Sequence, residues 1–105
     1  IQGQSTELND NRISLYVAQR GKCAISKEPL LLGEMEVHHI TPKVSGGKDN
    51  YSNLALVTGD VHKLVHATDP VIICKYLERL KHCKLNMAKL NKFRLLAGNC
   101  KLEYR

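Results

Sequence analysis

Apolar and polar positions divide the chain into helical and extended stretches. From Ser5 to Gly21, Ile13, Tyr16 and Val17 fall at helical spacing, and Gly21 suits the position just past a helix end. Lys22 to Gly33 reads as a compact loop or hairpin punctuated by Pro29 and Gly33. Glu34 to Thr41 is extended, because Pro42 disfavours helix at the residue before it. Ser45-Gly46-Gly47-Lys48-Asp49-Asn50 is a turn cluster, and Asn53 to Val57 is a short apolar strand. Gly59-Asp60 opens a helix with Asp60 as its N-cap, and His62 and His66, four apart, share one face of it. Asp69-Pro70 starts another helix, with Ile72, Ile73, Tyr76, Leu77 and Leu80 as its apolar stripe. Asn86 to Ala97 is the last helix, carrying Met87, Leu90, Phe93 and Leu96 and ended by Gly98. The expected fold class is α+β. A ββα unit over about 34–68 lies between an N-terminal helix and two C-terminal helices, all in one domain of 105 residues.

Charge changes this picture in one place. The net charge is +6, but residues 70–105 alone carry +7 and the rest of the chain −1. A basic helical extension over about 69–105 fits a polyanionic partner such as DNA, since each Lys or Arg set on a phosphate releases a counterion. A solvated helical surface would have the same composition. No apolar run approaches the length of a membrane span, and no export signal is visible, so a cytoplasmic location is expected. The first residue is Ile1 rather than Met, as in a piece of a larger protein. The four cysteines show no CxxC spacing, so no disulfide framework is expected, and Cys74 and Cys83 read as small core residues.

Candidate chemistry is concentrated in histidine. Four of the five histidines, His38, His39, His62 and His66, fall inside the ββα unit, while His82 reads as a surface residue. Imidazole is the commonest metal ligand and the side chain best poised for proton transfer near neutral pH. His62-x-x-x-His66 alone is a weak metal signal. Its metalloprotease version needs Glu directly after the first histidine, where this chain has Lys63.

The spacing carries more. Glu36-Val37-His38-His39-Ile40-Thr41-Pro42, Gly46-Gly47, Asn53-Leu54 and His62-Lys63-Leu64-Val65-His66 follow one another in the order and separation of the HNH nuclease family, which residues 23–67 closely resemble. The resemblance implies a ββα-metal (His-Me finger) core and hydrolysis of DNA phosphodiester bonds. It implies His39 as the general base, His38 and His62 as ligands of one divalent cation, and His66 as a third ligand or a phosphate contact. Asn53 would pin the loop between the strands. Lys43, Lys48 and Lys63, next to the motif, could contact DNA phosphates or simply be solvated. Neighbouring strand residues face opposite sides, so His38 and His39 can serve one phosphate only if the strand ends or twists there. Mg or Mn is the usual metal for this chemistry, and three imidazoles also suit Zn, Ni or Co. Many family members carry a zinc knuckle of two CxxC pairs. Here Ser26 stands where Cys23 would find its partner, and Thr58 and Val61 where the second pair would fall, so no structural zinc knuckle is expected. Ile25, Leu30, Leu31, Val57 and Val61 would pack in its place.

A narrower similarity concerns the C-terminal part. Val61 to Thr68, Tyr76-Leu77 and Leu90 to Asn99 look like the tail of bacterial group II intron reverse transcriptase/maturases. That resemblance implies nicking of target DNA in intron mobility, with intron RNA as a partner of the parent protein. Two other readings stand beside it: a catalytically silent metal-binding nucleic-acid-binding module, and a colicin-like nuclease.

Overall fold

The structure is a computed structural model and describes residues 6–102. Helix α1 (Thr6–Ala18) leads into a loop, then strand β1 (Met35–His39), two short 3-10 turns (Lys43–Ser45 and Tyr51–Asn53) and strand β2 (Leu54–Thr58). Helices α2 (Gly59–His66), α3 (Pro70–Arg79) and α4 (Met87–Leu96) follow. The strands pair antiparallel, from Met35 opposite Thr58 to His39 opposite Leu54. Helix α2 packs on both strands and is itself covered by α3 and α4. The fold is therefore α+β, with a ββα unit enclosed by helices. No helix among the described residues is long and apolar enough to cross a membrane.

A two-stranded sheet leaves backbone groups unpaired at its edges. Gln19, the residue just past α1, covers the edge of β2 with its side chain. Gln19 Oε1 accepts from the Leu56 N–H at 3.0 Å, and its Nε2 donates to the Leu56 carbonyl at 3.0 Å. The face that α1 turns inward carries Leu8 and Leu15, both buried. Ile13 and Val17, expected to form the apolar stripe, are instead 68% and 71% exposed. Hydrogen-bonding the strand edge through Gln19 requires this rotation, and Leu15, one turn before Gln19, faces the core with it. The start of the expected helix, Ser5, lies outside the described residues.

The helix starts follow capping chemistry, with one correction. Helix α2 is capped by Thr58, whose Oγ1 accepts from the Val61 N–H at 3.3 Å, and not by Asp60. The last strand residue doubles as the cap, so the helix starts without a connecting loop, and Asp60 pairs with Arg79 at 3.1 Å instead. Asp69 caps α3 through the Val71 N–H at 2.8 Å with Pro70 at its first position, as expected. Asn86 caps α4.

The core centres on Ile25, Leu56, Val57, Val61, Leu64, Val65, Leu80 and Leu90, each at most 1% exposed. Ile25, Leu30, Val57 and Val61 are buried as expected, but Leu31 is 59% exposed, because only Leu30 of that extended pair points inward. Cys74 is exposed rather than core, since α3 packs through Ile73, Tyr76, Leu77 and Leu80 and Cys74 lies off that face. Cys83 is half-buried. Arg94 is 2% exposed and so does not belong to the basic surface. Its guanidinium donates to the carbonyls of Leu64 at 2.6 Å and Ala67 at 2.9 Å. It closes the C-terminal end of α2, where unpaired carbonyls carry partial negative charge.

Gly47 marks the tightest point of the loop between the strands. A Cβ there would lie 1.8 Å from the Thr41 carbonyl oxygen and 2.9 Å from Asn53 Nδ2. Gly47→Ala is expected to destabilise the fold by about 3 kcal/mol, read from the urea midpoint. Gly33→Ala, at positive φ but with nothing within 4 Å, should cost only about 1 kcal/mol. Equal effects of the two substitutions would contradict this.

Candidate active site and metal centre

Strand alternation sets the geometry. Glu36 and His38 leave β1 on one face and His39 on the other. On the first face the side chains meet α2, which presents His62 and His66 one turn apart. His38, His62 and His66 each bring a ring nitrogen to within 4.8 Å of the other two. The ring centroids lie 5.3 Å apart for His38–His62, 5.3 Å for His38–His66 and 4.9 Å for His62–His66. Phe93 of α4 closes the back of the cluster, 5.0 Å from His38.

His38 is 1% exposed, and neither of its ring nitrogens has a hydrogen-bond partner. Such a group costs roughly 1–3 kcal/mol when left unpaired, and its position among two further imidazoles suits a cation that accepts nitrogen lone pairs. Burial, and then the neighbouring His62, His66 and His39, push its pKa down to about 3. Burial and the charges of His62 and Arg94 lower that of His66 as well. Both rings are therefore held neutral, the form that binds metal. His62 Nδ1 bonds Glu36 Oε1 at 2.7 Å, which orients the ring and leaves Nε2 for a ligand. The donor set fits one divalent cation, and His38, His62 and His66 are the residues that would hold it.

The lowered pKa of His38 has a consequence for stability. An unfolded His titrates near 6.5. Between pH 6.5 and about 3 the unfolded chain binds protons that folded His38 refuses. This contribution is present above the unfolded pKa and is lost as pH falls through that window. In chelator, the melting temperature should drop from pH 7 to pH 4.5, and His38→Leu should flatten the decline. An identical slope in the variant would contradict this.

His39, the last residue of β1, faces the loop between the strands. Its Nε2 lies 2.8 Å from Asp49 Oδ1. A carboxylate accepts only, so Nε2 carries the proton and Nδ1 presents a lone pair. Lys43 Nζ lies 3.3 Å from the same Asp49 oxygen. Asn53 pins the loop on which Asp49 sits: its Oδ1 accepts from the Thr41 N–H at 2.8 Å, and its Nδ2 donates to the carbonyls of Lys48 at 2.9 Å and Thr41 at 3.1 Å. Lys43, Lys48 and Lys63 are all exposed, Lys43 and Lys48 in the loop between the strands and Lys63 on α2.

Two acids join the site without a strong signal along the chain. Glu36 was visible only as a letter of the motif, although its distance of two from His38 on a strand already put both on one face. Asp49 sat in a turn cluster, where aspartate is ordinary, and nothing along the chain signalled its approach to His39. No curated protein and no solved structure matches the chain. Residues 22–67, which hold the paired ββα unit, the histidine trio and the carboxylate-braced His39, match the family model described as HNH endonuclease.

Proposed function

We propose that this chain is a metal-dependent DNA endonuclease domain in which His39 is the general base and His38, His62 and His66 hold a single divalent cation. The observation that carries this reading is the buried, unpartnered His38 beside His62 and His66, one residue from an imidazole braced by a carboxylate. When bound, the cation supplies positive charge against the scissile phosphate and the leaving 3′ oxygen. His39 takes the proton of the attacking water at Nδ1 while Asp49 steadies the imidazolium that forms. The water oxygen bonds to phosphorus, the bond to the 3′ oxygen breaks, and that oxygen takes a proton from solvent. The products are a 5′-phosphate and a 3′-hydroxyl. Lys43, Lys48 and Lys63 and the basic C-terminal helices attract the flanking phosphates.

Intron mobility is the finer form of this proposal. The tail residues Leu90 to Asn99 support it by their similarity to group II intron proteins, in which target nicking primes reverse transcription. Intron RNA would then act through the parent protein.

The test is nicking of supercoiled plasmid in Mg²⁺ or Mn²⁺, with and without chelator. Metal-dependent conversion to open circles is expected. A protein that binds DNA and loses thermal stability on chelation, yet never cleaves, would instead be a silent metal-binding module.

A further inference from the structure

A second group of metal-binding side chains lies away from the histidine trio. Glu28, His82 and Cys83 each offer one ligand atom, and these atoms all lie within 4.8 Å of one another. His82 Nε2 is 3.1 Å from Glu28 Oε2. The two halves of the group come from distant parts of the chain. Glu28 closes the tight turn that begins at Cys23, whose N–H donates to the Glu28 carbonyl at 2.8 Å. His82 and Cys83 lie between α3 and α4. The halves are joined by the Asn86 N–H, which donates to the Ile25 carbonyl at 3.0 Å.

We propose that Glu28, His82 and Cys83 form a Zn²⁺ site that staples the 23–28 turn to the segment between α3 and α4. The donor set of thiolate, imidazole and carboxylate suits Zn²⁺. Within the turn, Cys23 Sγ accepts from the Ser26 N–H at 3.5 Å. The next residue, Lys27, takes a positive φ of 63° to turn the chain back toward Glu28. This staple would close a long loop and fix the basic helical extension against the ββα unit.

The probe is Co²⁺, followed by Zn²⁺ competition, on the full chain carrying His62→Ala and His66→Ala to silence the other cluster. Thiolate-to-cobalt absorption in the near ultraviolet is expected there, and it should vanish in Cys83→Ser. His82→Ala, at an exposed side chain that folding does not need, should weaken Zn²⁺ affinity roughly tenfold or more and covers the case where Cys83→Ser fails to fold. Absence of the thiolate band in the doubly substituted chain would overturn the proposal. So would a band that persists in Cys83→Ser, unchanged Zn²⁺ affinity in His82→Ala, or a Cys23–Cys83 disulfide found by thiol titration without reductant.

Discussion

Replacing His39 by alanine is expected to slow plasmid nicking by roughly 10²–10⁴-fold, the usual contribution of a positioned general base. Metal affinity should change little, because His39 leaves β1 on the face opposite His38 and bonds Asp49 rather than the trio. Two further readouts separate loss of a base from loss of structure. Added imidazole should restore part of the rate in His39→Ala by entering the space left by the ring. Asp49→Asn should lower kcat with little effect on KM for DNA, because the amide can still bond the ring but no longer offsets the charge of the imidazolium. His39→Ala with full activity would remove His39 from the mechanism, and with it the reason for Asp49 to lie at 2.8 Å.

His62→Ala should cost metal affinity about 100-fold or more and abolish cleavage at ordinary metal concentrations. It removes one of three converging nitrogens and leaves Glu36 without its partner. Glu36→Gln keeps the ligand but removes the charge on its far nitrogen, and should cost about 10–100-fold in affinity. Raising the metal concentration should then recover most of the rate. His66→Ala is expected to fall between the two, since His66 is exposed and shares less of the buried pocket. Isothermal titration with Mn²⁺ measures all three. Equal metal affinity in wild type and His62→Ala would rule out the trio as the metal centre.

The same contrast separates what could be read along the chain from what could not. The ββα order, the helix starts at Asp69 and Asn86 and the identity of the histidine cluster were legible because they depend on local periodicity, capping and spacing. Three features depart from the local reading. Ile13 and Val17 face solvent, Asp60 yields the cap to Thr58, and Arg94 is buried beneath α2. A long-range partner decides two of them, the edge of β2 for α1 and the carbonyls of Leu64 and Ala67 for Arg94, while for α2 the strand end just before the helix takes the cap.

By itself the sequence determined which residue types lie on which local face, because a strand repeats every two residues and a helix every 3.6. That was enough to set His62 with His66 and to part His38 from His39. Only the tertiary structure decided that His38 would be buried against that helix with both nitrogens unpartnered, and that β1 would end at His39. It also decided that Asp49, ten residues on, would bond His39, and that His82 and Cys83 would meet Glu28 across more than fifty residues. Contacts of that separation depend on how the elements pack, and no local pattern encodes the distance between two side chains that only packing brings together.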